Sequence, residues 1–480
     1  MKTLVKLFCF LLAVALLVGC APKPTPVPVV PTAAPTQAPT TAPTEAPSAA
    51  PTEVPTQAPP EPVTIRYANW NLGTEAENNI NRQMIKAFTD AHPWVTVELV
   101  DMADPNGVGW EGVLTAYAAK GELPDVWMAN DTSLYIKNDW LYDLTDTLNA
   151  DPDYATVPQV LKDVMTYKGK IIAIPAGIFI MGYWANMDLF EAANLDAPYY
   201  GMSVDEFFQS VKDVTNIDKN VLGLNDQWSV PGWYPRTQDP NLGWFSFDGV
   251  NMNYNSAPFK AAIAKGYEMN PYTWYGLTDA QKATFKTTEA WLLYSNQEVA
   301  YNWDGSWSMG YMQQNYPWNW DFVGFPGGNQ VMVFDPFGIS KTTKNFETAY
   351  DFAKWMTFSI DGYKKKCELL KAMNSAPDLP ISITPETLAL FKTFLDKPGI
   401  MAALANLDKS PIESLAKVIP GYIDARWTGK PGIDVGDNKD VSIGQMFDFA
   451  LQGMIKYEDY SAQLEQFANQ ILAKARESMP

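Results

Sequence analysis

The sequence predicts an α/β fold made of two lobes, followed by a helix-rich C-terminal part. At 480 residues the chain is longer than one hydrophobic core normally supports, which favours two lobes over one compact domain. From Val63 onward, strand-like and helix-like segments alternate, as they do in parallel βαβ units. Beyond Lys344 the pattern becomes mostly helical, which places the helix-rich part at the C-terminal end.

The first three segments predict one βαβ unit. Residues Val63–Ala68 alternate between polar and apolar side chains, which is typical of a half-buried strand. Thr74 and Glu77 have the spacing of a capping box, so we expect a helix to begin there. A second alternating run follows at 95–99, and a strand, a helix and a strand in this order imply parallel pairing.

Later segments continue the alternation. Apolar spacing and capping residues predict helices around 108–120, after Ser203, after Thr278, after Thr384 and at 460–477, and strands at 124–129, 171–175 and 298–302. The sequence shows no internal repeat of roughly 20 to 50 residues, which excludes solenoids and propellers.

The composition excludes several classes of function. The formal net charge is −19, so the chain has no basic field for nucleic acid or for an anionic membrane surface. His92 is the single histidine, which argues against histidine-dependent nucleophilic catalysis and against zinc sites built on imidazoles. The 17 tryptophans instead favour binding through flat apolar contact, and no metal or cofactor is expected.

The N-terminal residues predict a lipid-anchored protein on the outer face of the bacterial cell membrane. After two lysines, the apolar run Leu7–Val18 is typical of a signal peptide and too short to cross a bilayer. The run ends in Leu-Val-Gly before Cys20, which resembles the lipobox of bacterial lipoproteins. Residues 1–19 are therefore expected to be removed and Cys20 to be lipidated, with an ordinary secretory signal as the alternative. Residues 20–62, rich in proline, threonine and alanine, predict an extended tether without a packed core.

Short segments that occur in a fixed order resemble one protein family. They are Phe88-Thr-Asp-Ala-His92-Pro93, Gly121-Glu-Leu-Pro124-Asp125-Val126, Leu141-Tyr-Asp-Leu144-Thr145, Tyr167-Lys-Gly169-Lys170, Ala185-Asn186-Met-Asp188, Asp304-Gly305-Ser306-Trp307 and Gly338-Ile-Ser340. From residue 63 to about 360, their order and spacing resemble the extracellular solute-binding proteins of ABC importers, in particular the maltose-binding-like family for oligosaccharides. The rest of the chain fits this family more loosely.

The resemblance implies a periplasmic-binding-protein-like fold, in which two lobes hold the ligand in a hinged cleft. Chain crossings between the lobes are expected near Gly177, Phe337 and Thr384. The implied lobes are 63–177 plus 338–384 for lobe 1, and 178–337 plus 385–480 for lobe 2. The implied function is that of a monomeric, non-enzymatic protein that captures a carbohydrate, such as an oligosaccharide, and delivers it to the permease subunits of an ABC transporter.

The loops after the strands are expected to carry the ligand-binding residues, because ligands of open α/β sheets sit at the carboxyl ends of strands. In lobe 1 these residues are Trp70, Asn71 and Glu75 after the first strand, and Asn130 and Asp131 after the third. Sugars present flat apolar faces and hydroxyl edges, so an aromatic ring beside amide and carboxylate groups suits them. Two alternatives stay open: Trp70 as a core residue and Asp131 as a helix N-cap.

In lobe 2 the candidates are mainly aromatic and acidic side chains near strand ends: Asp226, Trp228, Trp233, Trp303, Asp304, Trp307, Arg426 and Trp427. Trp307 coincides with a stacking position of the family that the chain resembles, and a role in the core is the alternative. The glycine, asparagine and proline residues around Trp244, Phe245 and Phe247 predict that these aromatic residues lie in an exposed loop.

Two other functions are compatible with the sequence. A surface-anchored glycoside hydrolase would need only a pair of suitably spaced carboxylates. A solute other than a sugar, such as a polyamine, is the second alternative. Because the candidate loops are richer in tryptophan than in isolated carboxylates, carbohydrate capture is the favoured interpretation.

Overall fold

The computed structural model describes residues 61–480. The predicted signal peptide, Cys20 and nearly all of the predicted tether lie outside these residues. Within residues 61–480, the helices lack the combination of length and apolar character that a transmembrane span requires. Strands and helices alternate over most of this part and helices dominate its last third, as the sequence predicted.

The strands and helices have the following bounds. The strands are β1 Val63–Ala68, β2 Val95–Leu99, β3 Val126–Met128, β4 Thr166–Tyr167, β5 Lys170–Ile171, β6 Ile174–Asn186, β7 Leu222–Leu224, β8 Val299–Gly305, β9 Trp320–Gly324, β10 Val331–Ile339, β11 Ile433–Val435 and β12 Asn438–Val441. The helices are α1 Ile80–Ala91, α2 Gly109–Ala119, α3 Thr132–Lys137, α4 Thr145–Ala150, α5 Gln159–Val164, α6 Met187–Ala192, α7 Val204–Val214, α8 Val230–Gln238, α9 Ala257–Met269, α10 Asp279–Lys282, α11 Met309–Asn315, α12 Phe346–Met356, α13 Ile360–Ala372, α14 Pro385–Lys392, α15 Pro398–Leu404, α16 Ile443–Leu451 and α17 Ser461–Glu477.

One mixed sheet organises this part of the chain. Its strand order is β2-β1-β3-β10-β6-β8-β7, and β9 pairs with β6 off this path. Strand β1 is parallel to β2 and β3, which confirms the predicted βαβ unit. Strands β7 and β8 are also parallel to each other. The two long strands β6 and β10 run antiparallel to each other, and to β8 and β3 respectively.

The strands β6 and β10 join two half-sheets whose carboxyl ends face each other. In the first half-sheet, β1–β3, the last residue of β3 is Met128, which pairs with Phe337 of β10. In the second half-sheet, β7–β9, the last residue of β8 is Gly305, which pairs with Met181 of β6. Because β6 and β10 run in opposite directions, β3 and β8 also run in opposite directions. Their carboxyl ends point toward each other across the part of β6 and β10 that lies between these two contacts. Post-strand loops of both half-sheets therefore meet there.

We call this stretch of β6 and β10 the crossing. Gly177 lies opposite Asp335 within it, and a register shift follows at Pro336. The proposed lobe limits near Gly177 and Phe337 fall in or beside the crossing. Farther along the chain, α14 packs against α13 and α15 packs against β9. The proposed limit at Thr384 therefore lies shortly before the chain passes to the second half-sheet.

Apolar side chains cover both faces of the sheet. One cluster includes Ile180 and Phe334, and a second includes Tyr183 and Tyr301. The second cluster is completed by the C-terminal helices, whose apolar face the sequence predicted. In α17 the buried residues of that face are Leu464, Ala468 and Leu472.

The predicted capping box at Thr74 forms, but it does not begin a helix. The Thr74 backbone N–H donates to the Glu77 carboxylate, and the Glu77 backbone N–H donates to the Thr74 hydroxyl. Asn78 then adopts a left-handed φ of 41°, which ends the turn. Helix α1 begins only at Ile80, where the Asn79 side chain caps it. The predicted start of this helix was therefore wrong.

The aromatic loop at 244–247 is buried, so the prediction of its exposure was wrong. Trp244 stacks on Phe325 with ring centroids 5.8 Å apart, and Phe245 stacks on Phe447 of α16 at 6.0 Å. Phe247 is buried as well. The loop is enclosed by residues that are distant in sequence, which its local glycine and proline content does not reveal.

Candidate functional site

Two tryptophans form an exposed aromatic corner at the carboxyl end of β1. Trp70 follows β1 and keeps 39% of its surface exposed. Its ring packs edge-to-face on Trp110 in the first turn of α2, with centroids 5.2 Å apart. The Trp110 indole donates a hydrogen bond of 2.9 Å to the carbonyl of Met128, which fixes the corner against the end of β3. Trp70 is therefore not a core residue, and its ring is available to a ligand.

Glu111 adjoins this corner, although it was not predicted from the sequence. The Tyr135 hydroxyl donates to its Oε2 at 2.6 Å, whereas Oε1 is buried without a partner in the described part of the chain. Burial raises the pKa of Glu111 to about 7, and the charge of Asp131 adds to the rise, against the Tyr135 hydrogen bond. Glu111 could have been predicted from the sequence. It lies in the first turn of α2, which follows β2, and ligands of open α/β sheets bind at the carboxyl ends of strands.

The predicted polar residues of this edge lie where the sequence placed them. Asp131 is the N-cap of α3, because its carboxylate accepts a hydrogen bond of 3.0 Å from the Leu134 N–H. The preceding Asn130 is exposed beside it. Asn71 and Glu75 lie in the exposed segment before α1. The capping alternative for Asp131 is therefore real, and it leaves part of the carboxylate for another contact.

The loop after β7 carries the first candidates of the second half-sheet. The Asp226 carboxylate accepts a hydrogen bond of 2.9 Å from the Trp228 N–H. Burial raises the pKa of Asp226 to about 6, and hydrogen bonds from backbone N–H groups limit the rise. The side chain nevertheless keeps partial solvent access. Trp228 packs on Trp427 with ring centroids 5.3 Å apart, so these two predicted residues form one surface.

Tyr275 belongs to the same surface, although it was not predicted. The fully buried Gln227 amide accepts from the Thr273 hydroxyl at 3.0 Å and donates to the Asn270 amide oxygen at 3.2 Å. These bonds hold the turn that carries Tyr275 against the loop after β7. Tyr275 keeps 47% of its surface exposed. The raised pKa of its phenol is due to burial first and to the charge of Asp226 second.

The end of β8 supplies three further candidates. Trp303 and Asp304 belong to the strand itself, and the following turn of 3-10 helix begins only at Ser306. The Asp304 carboxylate accepts hydrogen bonds from the Ser308 hydroxyl at 2.6 Å and from the Gly305 N–H at 2.7 Å. Burial raises the pKa of Asp304, against these bonds. Trp303 is half-buried, and its indole Nε1 has no partner among residues 61–480.

Trp307 lies at the crossing with one side of its ring against the backbone. Its ring packs edge-to-face on Phe179 of β6 at 5.7 Å, yet 47% of the residue is exposed. A Cβ atom on Gly305 would lie 2.2 Å from the Trp307 ring, so the close approach requires glycine at that position. Trp307 is therefore a surface residue held in place, which argues against its alternative role in the core.

Trp233 is a core residue, which contradicts its assignment to the ligand site. Only 3% of its surface is exposed. It stacks on Phe208 and on Phe325, with centroid distances of 5.7 and 5.8 Å. Its indole donates a hydrogen bond of 3.0 Å to the Tyr183 hydroxyl. Both faces and the polar atom are thus occupied by the protein, and the assignment of Trp233 was wrong.

Two largely buried ion pairs lie in or beside the crossing. Arg426 pairs with Glu413 at 2.7 Å, so its charge is already compensated within the protein. Lys417 pairs with Asp335 in the crossing itself, and each of these two side chains is 17% exposed. The Lys417 carbonyl also accepts a hydrogen bond of 2.9 Å from the Thr132 hydroxyl of α3. The segment 411–418 therefore runs alongside β10 and contacts the first half-sheet.

The two edges thus combine exposed or half-buried aromatic rings with carboxylates. The rings are Trp70, Trp228, Tyr275, Trp307 and Trp427, and the carboxylates are Glu111, Asp131, Asp226 and Asp304. Rings bind flat apolar faces, and carboxylates accept hydrogen bonds from hydroxyl or amino groups. Such a surface suits a solute that is polar at its edges and apolar on its faces.

We expect Glu111→Gln to stabilise the solute-free protein above neutral pH. Because the folded-state pKa of Glu111 is raised to about 7, the folded protein binds more protons than the unfolded chain between the usual carboxyl pKa and that value. The wild-type contribution to stability therefore falls as pH rises through this window. In thermal melts, the variant should have a higher melting temperature than the wild type at about pH 8, and this difference should disappear at about pH 5. Glu75→Gln, at an exposed site, should show no such trend, and a pH-independent difference for Glu111→Gln would contradict the assignment.

Comparison with known proteins places the chain in a family. A model of bacterial extracellular solute-binding proteins matches residues 83–392. Among curated protein sequences no significant match was found. A solved ABC substrate-binding protein from Listeria monocytogenes, in complex with cycloalternan, is 19% identical and has a TM-score of 0.62, with 86% of this chain and 100% of that chain covered.

Two more solved structures have the same fold. The cyclic alpha-maltosyl-1,6-maltose binding protein from Arthrobacter globiformis is 16% identical with a TM-score of 0.60, covering 86% of this chain and 100% of that chain. A sugar-binding protein from Xanthomonas citri is 14% identical with a TM-score of 0.61, covering 86% and 98%. These likenesses confirm the two-lobed, periplasmic-binding-protein-like fold. Because the matched family region runs from α1 to α14 and spans more than half of the chain, this protein belongs to the bacterial extracellular solute-binding proteins.

Proposed function

We propose that this protein captures a carbohydrate, an oligosaccharide in particular, between its two lobes and delivers it to the permease subunits of an ABC transporter. The lobes are 63–177 plus 338–384 and 178–337 plus 385–480. Ligand drives closure because it contacts both lobes only in the closed state. The protein acts in this way as a binding protein and not as an enzyme.

The observation that carries the proposal is the exposure of Trp70 and Trp307 at the facing ends of the two half-sheets. An exposed tryptophan that is fixed by packing offers a rigid, flat surface at low entropic cost. Sugar rings present matching apolar faces. The neighbouring carboxylates Asp131 and Asp304 suit the hydroxyl groups at the ring edges.

The related structures support the same ligand class. The Listeria monocytogenes protein is in complex with cycloalternan, and the Arthrobacter globiformis protein is a cyclic alpha-maltosyl-1,6-maltose binding protein. At identities of 19% and 16%, the similarity to these two proteins shows a shared fold. The aromatic and acidic edges of this chain supply the independent argument.

The proposal places the protein as a monomer outside the cytoplasm. Its N-terminal signal would be cleaved at Cys20, and lipid on that cysteine would hold it at the outer face of the membrane. The proline-rich segment up to residue 62 would act as the tether. A mass shift on the N-terminal peptide after lipase treatment would test this part.

A thermal-shift screen tests the ligand class. The purified protein is expected to melt at a higher temperature with an oligosaccharide, because a ligand that binds only the folded state stabilises it by mass action. Polyamines and amino acids serve as controls. Stabilisation by polyamines but by no sugar would contradict carbohydrate capture. Release of shorter sugars during incubation would instead support the hydrolase alternative.

A further inference from the structure

We infer that the captured carbohydrate is cationic, an amino sugar or an oligomer of one, whose protonated amine is held between carboxylates of the two half-sheets. The inference rests on the proposed function and narrows its ligand class. It is drawn from the charge balance of the site, from its aromatic surfaces and from its hydrogen-bonding groups.

Carboxylates occupy both facing edges without a counter-charge. Glu111 and Asp131 lie on the first edge, and Asp226 and Asp304 lie on the second. No salt bridge within residues 61–480 involves any of the four. Hydrogen bonds from the protein offset only part of the cost of withdrawing these groups from water, since burial still raises the pKa of Glu111, Asp226 and Asp304, and a bound cation would offset more of it.

Two cations beside the crossing are already committed to partners within the protein. Lys417 is bound to Asp335, and Arg426 is bound to Glu413 at 2.7 Å. Lys417 further donates to the Phe334 carbonyl at 2.9 Å, which fixes its ammonium within the protein. These two side chains therefore leave the charge of the facing carboxylates uncompensated.

The hydrogen-bonding groups point to a donor-rich solute. Ionised carboxylates only accept hydrogen bonds, and a protonated amine only donates them. Glu111 already accepts from Tyr135 on one oxygen, and its Oε1 is buried without a partner in the described chain. A neutral sugar hydroxyl can also donate, whereas a protonated amine in addition favours the ionised form of Glu111, whose pKa burial raises to about 7.

The aromatic rings fit the same ligand. Tyr275 is exposed close to Asp226, and Trp307 is exposed close to Asp304. An ammonium group over a tyrosine or tryptophan face gains a cation–π attraction in addition to apolar contact. A ring beside a carboxylate can therefore hold the sugar face and its amine together.

The decisive comparison uses two ligands that differ only at the amine. Oligomers of glucosamine and of N-acetylglucosamine, with the same linkage and length, are titrated calorimetrically into the purified protein at neutral pH. We expect the glucosamine oligomer to bind about tenfold more tightly or better, with an affinity that falls as salt is added. Equal or tighter binding of the acetylated oligomer, or of other neutral oligosaccharides, would overturn the inference and leave carbohydrate capture intact. Absence of binding to every sugar would instead overturn the proposed function.

Variants assign the effect to the carboxylates. Glu111→Gln and Asp226→Asn keep size and remove charge, so each should weaken binding of the glucosamine oligomer about tenfold, and clearly more than it weakens binding of a neutral sugar of the same length. Asp213→Asn is the matched control, because Asp213 is exposed near the end of α7. This helix leads to the amino end of β7, whereas the candidate site lies at the carboxyl end of that strand. Thermal melts establish that each variant is folded. An equal loss for charged and neutral sugars would contradict a role for charge.

Discussion

Replacing Trp307 with alanine is expected to weaken oligosaccharide binding about thirtyfold and to leave the fold intact. The residue is 47% exposed, so truncation opens little space in the core. Its ring is nevertheless immobilised against Gly305 and Phe179, which makes it a preorganised surface for a sugar ring. Removing a central aromatic anchor typically costs about 2 kcal/mol or more of binding free energy.

A tryptophan of the core provides the comparison. Trp233→Ala should cost about 3 to 5 kcal/mol of folding stability, because it leaves a cavity between Phe208 and Phe325. Calorimetric titration and thermal melting of both variants distinguish the two roles. A large fall in the melting temperature of Trp307→Ala with near-normal affinity would contradict the stacking role and indicate that Trp307 is a core residue.

Gly305→Ala tests the same surface without touching the indole. A Cβ atom there would lie 2.2 Å from the Trp307 ring, so the ring must move. Gly305 has a φ of −102°, which alanine adopts without strain. We therefore expect weaker sugar binding with a small change in stability, measured by the same titration and melt.

The sequence was sufficient where local patterns determine local structure. The alternation in β1 and β2 predicted both strands and their parallel pairing. The capping boxes at Ser203, Thr278 and Thr384 form at the starts of α7, α10 and α14, because the bonds they require lie within one turn. The carboxyl-end rule also located most of the candidate site, since strand direction fixes which loops share an edge.

The sequence was insufficient where burial depends on distant partners. Trp233 and Trp307 both lie in loops or short helices after strands, yet one is 3% exposed and the other 47%. The difference is created by Phe208 and Phe325, which enclose Trp233, and sequence spacing does not show such contacts. Tyr275 was missed for the same reason, because Gln227 brings its turn to the site through hydrogen bonds across more than forty residues.

Removing one partner of the ion pair in the crossing is expected to destabilise the folded protein strongly. Asp335 and Lys417 are each 17% exposed, and Asp335 lies opposite Gly177 where β6 and β10 join the half-sheets. Lys417→Met would leave the Asp335 carboxylate buried without its partner. Breaking a buried pair in this way typically costs about 3 to 5 kcal/mol, and the residual solvent access places our expectation near 3 kcal/mol.

A double-mutant cycle separates the pair from the packing of the lysine stem. If the cost of Lys417→Met is the unpaired charge, adding Asp335→Asn should recover much of the lost free energy of unfolding, because asparagine is less costly to bury than an isolated carboxylate. Denaturant unfolding of the wild type, the two single variants and the double variant measures this coupling. Additive losses would show that the two side chains stabilise the protein independently. A coupling of about 1 kcal/mol or more would instead show that Lys417 compensates the charge of the Asp335 carboxylate in the crossing. The backbone carbonyl of Lys417 also accepts a hydrogen bond from Thr132 of the first half-sheet.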